Sequence, residues 1–236
     1  MKLVFISPCF NAKENISVLL DSISSQKDSR WESVLIDDIS EDSTASEILK
    51  LSKGHKKITA IINEQKKFAL RNIVETARSY QDDNDVIIAT VDGDDSLCNK
   101  DTVSIILSEY EKGSDVVWTA HEWDINGMNI SRDMPAHVDP YSWPWCTSHL
   151  RTFRASMLKN ISDKNFQDTS GNWFKRGYDQ ALMLPLLHLT DKRKDVDKVC
   201  YRYNIDSSSI PADKRVWSEM EQISTINLVR ARGFLK

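Results

Sequence analysis

Glycine is scarce in this 236-residue chain, with seven residues and no Gly-rich turn after a strand of the kind a nicotinamide-dependent dehydrogenase needs. The four cysteines, Cys9, Cys98, Cys146 and Cys200, stand far apart with no CxxC spacing, which argues against a zinc site. A zinc deaminase is excluded on the same ground, since His121-Glu122 lacks the spacer of H-x-E and no P-C-x-x-C exists. No apolar run reaches the ~18–20 residues of a membrane span. The opening MKLVFISPCF runs into Pro8 and reads as a strand and not as a signal peptide. Reduced thiols and a soluble, cytoplasmic protein are therefore expected. Repeats, low-complexity tracts and flexible linkers are absent too. A mean hydropathy of −0.44 and 20 aromatic residues (seven Trp, seven Phe, six Tyr) describe a globular chain with ample core.

Charge is uneven. Residues 1–118 carry 14 Lys and Arg against 21 Asp and Glu, a net −7, while residues 119–236 carry 17 against 14, a net +3. The acidic half speaks against a nucleic-acid groove there, and the second half permits an anionic partner.

The first half alternates apolar runs with helical spacings. Strands are predicted at 3–7, 33–37, 58–62, 86–91 and 116–120, and helices at 16–25, 43–53, 69–79 and 102–111. VIIATV (86–91) is apolar throughout and suits the middle of a parallel sheet. The alternation predicts an α/β fold with a mainly parallel, doubly wound sheet, whose ligands bind beyond the carboxyl ends of the strands. After residue 120 the rhythm breaks. Asn126-Gly127 predicts a hairpin turn. Residues 133–149 form a loop with three prolines and two tryptophans, helices follow at 155–161 and 178–189, and a strand at 199–203. Trp217, Met220, Ile223 and 226–228 give the tail an apolar face expected to pack on the body.

Acidic residues gather at the predicted strand ends. Asp92-Gly93-Asp94-Asp95 puts three carboxylates within four residues, where they repel one another, and a hard divalent cation such as Mg²⁺ or Mn²⁺ relieves that. Taken alone, DGDD is also what a solvated Asp-Gly turn looks like. Asp37-Asp38 ends the second strand, a pattern equally suited to a helix cap. Ser7-Pro8-Cys9-Phe10-Asn11 leaves the first strand, and Arg71 stands on the third helix, either as a ligand cation or in a salt bridge.

In order and spacing these four segments resemble the family 2 glycosyltransferases, which have the GT-A fold. VFISPCFNAKENISVLLDSISSQ is similar to the family's first strand, Pro-x-Asn turn and helix, VLIDDISEDST to its second strand with paired Asp, 68–72 to its Arg-Asn segment, and VDGDDSL to its DXD signature. The resemblance implies a single GT-A domain with a nucleotide-sugar-binding half, residues 1–120, and a half at 121–236 that binds acceptor and supplies the base. It implies that Pro8 and Asn11 border uracil and ribose, that Asp38 accepts from uracil N3–H, and that Arg71 lies near base or phosphates. Asp92 or Asp94 would hold the ribose hydroxyls, and Asp94 or Asp95 the Mn²⁺ or Mg²⁺ that bridges the phosphates. Two family glycines are missing: Ile39 follows the Asp pair, and Lys66–Phe68 precede Arg71.

The second half resembles the family less closely. Leu150–Phe153 looks like the strand-edge segment after the acceptor loop. Tyr178-Asp179 stands where the family has Glu-Asp at its catalytic helix, which implies Asp179 as general base of an inverting transfer, while Asp179 as a helix cap is the competing reading. Asn204 stands where some members have a metal-facing His. Trp143, Trp145 and His149 occupy the usual acceptor loop, although Trp in such a loop often packs a core. The implied reaction moves a sugar from a UDP-sugar to a hydroxyl, of a glycan or of DNA carrying hydroxymethylated bases, the latter as small soluble viral members use. An aspartyl-nucleophile phosphatase carries its DxD on the first strand and not the fourth. A noncatalytic sugar- or nucleotide-binding module would have no need for DGDD together with Asp179.

Overall fold

The computed structural model describes residues 1–205 and 215–236. Strand β1 (Lys2–Cys9) is almost entirely buried because it lies between two parallel neighbours, β2 (Trp31–Asp37) and β4 (Val86–Thr90), while β3 (Ile58–Ile62) extends β2 outward. Helices α1 (Ile16–Ser24), α2 (Thr44–Ser52) and α3 (Phe68–Arg78) make the connections. They are followed by β5 (Ser96–Leu97), α4 (Thr102–Glu111), β6 (Val116–Trp123), β7 (Arg151–Arg154), α5 (Tyr178–His188), β8 (Arg193–Tyr203) and α6 (Arg215–Arg232). The sheet runs β3-β2-β1-β4-β7-β6-β8-β5, with β7 antiparallel to both neighbours and β5 antiparallel to β8. The expected α/β class and mostly parallel sheet are present.

Period-two alternation splits the core into two layers. Leu3 and Phe5 face one side of β1 with Ile16, Leu19 and Ile23 of α1 and Val103, Ile106 and Leu107 of α4. Val4 and Ile6 face the other, with Leu70, Ile73 and Val74 of α3 and Leu182, Leu184 and Leu186 of α5. Packing on both faces explains why β1 and β4 read as continuous apolar runs.

Four expectations for the second half need correction. The 151–154 segment is no edge: β7 inserts between β4 and β6. Residues Ala155–Asn160 form a 3-10 helix and not an α-helix. Asn126-Gly127 does close a turn, with the Gly127 N–H donating to the Trp123 carbonyl at 2.7 Å, but no strand follows it. On α6, Trp217 (72% exposed), Met220 and Ile223 face outward, whereas Leu228 of the expected face does pack on the core, together with Thr225 and Val229. Among the described residues no helix is long and apolar enough to cross a membrane.

Candidate active site

The register of the central strands sets the site. Pro8 pairs with Ile36, Cys9 with Asp37, and Ile6 with Thr90, so β1, β2 and β4 end together. Their exits are stitched: the Asp38 N–H donates to the Cys9 carbonyl at 2.9 Å, and the Gly93 N–H to the Pro8 carbonyl at 3.2 Å. A Cβ on Gly93 would stand 2.8 Å from Cys9 Sγ and 3.0 Å from the Pro8 oxygen, so this approach of the DGDD turn to β1 requires glycine. A cavity of about 310 Å³ opens beyond these ends, lined by Pro8, Phe10, Asp38, Lys66, Phe68, Asp92, Asp94, Lys175, Arg176, Tyr178, Tyr203 and Asn204, among others.

The two missing glycines leave a trace in the backbone. Ile39 and Phe68 both adopt positive φ, 61° and 62°, the left-handed conformation glycine takes without cost. Bulkier side chains thus occupy left-handed backbone at both positions, and that of Ile39 is exposed.

Asp38, 3% exposed, is heavily engaged. Oδ1 accepts from Asn63 Nδ2 and the Lys67 N–H, both at 2.9 Å, and Oδ2 from the Phe68 N–H at 2.8 Å. Burial pushes its carboxyl up, but these donors together with Asn72 hold it below the usual carboxylate range. Asp38 therefore pins the turn into α3 as well as lining the cavity. Lys66 Nζ sits 3.8 Å from Asp38 Oδ2 and over the Phe10 ring.

The three carboxylates of DGDD meet different surroundings. Asp92 accepts from the Tyr178 hydroxyl on Oδ1 and faces the Arg151 guanidinium across 3.8 Å on Oδ2. Asp95 is 3% exposed and turns inward, where Oδ2 accepts from the Tyr201 hydroxyl at 2.6 Å and Oδ1 from the Asn204 N–H at 2.8 Å. Burial, with Asp92 and Asp94 close by, still pushes its carboxyl well above the ordinary value. Asp94 lines the cavity beside Asn204, whose Nδ2 donates to the Asp94 carbonyl at 3.4 Å. Asp92 and Asp95 thus have protein partners, while the raised Asp95 carboxyl shows that repulsion within the cluster persists. Among the described residues no group of three or more His, Cys, Asp or Glu is arranged to hold a metal ion by itself.

Tyr178 and Asp179 open α5 just after Gly177, whose φ is +64° and whose Cβ position lies 3.0 Å from the Gln222 carbonyl of α6. Helix α6 thus packs closely on the start of α5. Burial raises the Asp179 carboxyl, and Arg151 and the Gln180 N–H oppose that. No side-chain hydrogen bond caps this helix.

Other predicted residues lie elsewhere. Asn11 is exposed and accepts from the Glu41 N–H at 2.8 Å, which ties two loops together outside the cavity. Arg71 pairs with Glu75 at 2.6 Å, the salt-bridge alternative, and does not line the cavity. Among the described residues the cations that do are Lys66, Lys175 and Arg176, which sequence reasoning missed because no motif marks them. Trp143 and Trp145 pack against the core, and His149 stacks on Tyr201 at 4.5 Å between ring centroids, so none of the three lines the cavity.

An open sheet of this order, with a carboxylate-rich turn at its carboxyl edge and a second carboxylate on a facing helix, defines the GT-A class of glycosyltransferase. The chain belongs to glycosyl transferase family 2, whose family model matches residues 4–162. No curated protein matches it by sequence. Among solved structures it is similar to S. aureus TarS 1-349 in complex with UDP-GlcNAc (TM-score 0.69, 18% identity, 100% of this chain and 68% of that one). It is similar to the same protein in complex with UDP (0.68, 20%, 100% and 67%). The mannosyltransferase PcManGT from Pyrobaculum calidifontis in complex with GDP-Man and Mn²⁺ is a more distant likeness (0.60, 15%, 94% and 63%).

Proposed function

We propose that this glycosyltransferase moves a sugar from a uridine nucleotide-sugar to a hydroxyl acceptor by a single inverting displacement, with Asp179 as general base. One observation carries the reading. The cavity combines Asp38, Asp92 and Asp94 from the strand ends with Lys66, Lys175 and Arg176, and Tyr178 of α5 lines it while Asp179, the next residue, stands just behind the lining. Carboxylates suit ribose hydroxyls and an N3–H, and cations suit a diphosphate. The UDP complexes of TarS are in keeping with a uridine donor.

Residues 1–120 then supply most of the donor subsite, and 121–236 the base, the acceptor side and two cations, Lys175 and Arg176, for the diphosphate. Pro8 and Phe10 border the base, while Asp38 keeps one lone pair of Oδ2 for uracil N3–H. The donor set fits a Mg²⁺ or Mn²⁺ shared with substrate: Asp94 provides a hard oxygen, and such ions ordinarily take one or two carboxylates plus phosphates and waters. When bound, that ion would neutralise charge developing on the departing diphosphate. Lys66, Lys175 and Arg176 of the same cavity would do the same. Asp179, raised by burial, would take the acceptor proton as the new bond forms.

The test is UDP release from a panel of UDP-sugars with Mn²⁺ or chelator, against glycan and hydroxymethyl-DNA acceptors. Asp179→Asn should lower turnover roughly 10²–10⁴-fold with unchanged folding and UDP affinity. Wild-type turnover by that variant, or a product that keeps the donor's anomeric configuration, would refute the base assignment.

A further inference from the structure

Arg151 is anomalous. It is 2% exposed at the centre of the sheet, its Nε donates to Thr90 Oγ1 at 3.3 Å, and its buried Nη2 has no hydrogen-bond partner. Removing a guanidinium from water costs several kcal/mol unless opposite charge faces it. Asp92 does so directly: it follows β4 and stands 3.8 Å from Nη2. Asp179 is the next residue after Tyr178, in the first turn of α5, close enough to act on the same charge. The Tyr178 ring lies between these elements, 5.6 Å from the guanidinium carbon, and its hydroxyl donates to the other oxygen of Asp92.

We infer that Arg151 is a positioning residue: with Tyr178 it joins Asp92 of the donor side and Asp179 of the acceptor side into one charge unit built around a single buried guanidinium. The inference deepens the proposed reaction and rests on Asp179 being its base. It also accounts for Tyr where the family has Glu. A glutamate at 178 would add a third negative charge beside Asp92, whereas the phenol donates to it.

Asp179 feels Arg151 from β7, Asp92 from the end of β4, the neighbouring Tyr178, and Arg230 from α6. The other elements packed on α5 turn charge toward one another, as Arg71 does with Glu75 and Arg78 with Asp163. Burial drives the Asp179 carboxyl toward its neutral form, and Arg151 is the largest influence against that.

A carboxyl ¹³C NMR titration of the full chain, with Asp179 assigned through Asp179→Asn, tests the coupling. Arg151→Gln should raise the Asp179 midpoint by about 1 pH unit or more, the size expected when a close opposite charge is lost. Arg151→Lys should recover at least half of that shift. A midpoint within about 0.3 units of wild type in Arg151→Gln, or equal midpoints in the Gln and Lys variants, would overturn the inference. Should Arg151→Gln not fold, Asp92→Asn decides: with the guanidinium no longer shared, the Asp179 midpoint should fall, and an unmoved midpoint refutes the unit. The titration needs no turnover. A chain that transfers no sugar from any donor would therefore sink the base reading while leaving the coupling to stand or fall on its own result.

Discussion

The two ends of the site are built by different means. The proposed donor side, around Pro8, Asp38 and Asp92–Asp95, comes from three strand exits stitched by backbone hydrogen bonds, each a contiguous stretch of sequence. The other side comes from residues far apart in the chain: Arg151 of β7, Tyr178 and Asp179 of α5, and the stretch of α6 that packs on Gly177. Local chemistry makes the first a motif. The second is an assembly in which no short segment carries the function, so its failures should appear first as failures of packing.

The sharpest break falls within DGDD. Asp94 lines the cavity, and Asp94→Asn should cost roughly 10²–10³ in turnover, the scale of a lost transition-state electrostatic group. Asp95 faces Tyr201 and the Asn204 N–H, and burial already disfavours its charge. Asp95→Asn should then cost less than about tenfold. Parallel steady-state kinetics and Mn²⁺ titrations of the two variants check this, and equal losses would erase the distinction.

On the assembled side, Gly177→Ala forces a Cβ against the Gln222 carbonyl at a positive φ. A destabilisation of roughly 2–4 kcal/mol is expected from the backbone strain and overpacking together. Urea denaturation measures it. A variant as stable as wild type would show that α6 does not pack closely on the start of α5.

The histidines beside Arg151 supply a pH signature. Burial, with Arg151 next in weight, lowers His121 to about 4 and His149 well below its ordinary value. The unfolded chain takes up these protons near pH 6.5 and the folded one refuses them, so stability is complete above pH 6.5 and is lost as pH falls toward 4. The slope should be about 1.4 kcal/mol per pH unit for each histidine. Denaturation midpoints at pH 7.0, 6.0 and 5.0 check it, and a flat profile contradicts the burial of these rings.

The smallest effect belongs to the motif side. Ile39 is exposed and holds φ = 61° where the family uses glycine. Ile39→Gly removes roughly 1–2 kcal/mol of left-handed strain against roughly 0.5–1 of added chain entropy. A gain of about 0.5–1 kcal/mol is expected, read from the thermal midpoint, and a loss would mean that the side chain has a partner in the loop.

The sequence by itself determined the α/β alternation, the apolar strands β1 and β4, and the carboxylates of the DGDD turn, because period and turn chemistry act over a few residues. It also disclosed the two absent glycines, whose left-handed backbone the structure retains at Ile39 and Phe68. Tertiary structure alone decided the insertion of β7 between β4 and β6, the outward face of Trp217 and Met220, and the pairing of Arg71 with Glu75 in place of a cavity position. It alone brought Lys66, Lys175 and Arg176 to one cavity and buried Arg151 beside Asp92 and the Tyr178 ring. The physical reason is range. A strand exit is specified by its own residues, whereas the charge felt by a buried guanidinium depends on which distant segments fold against it, and no local pattern encodes that.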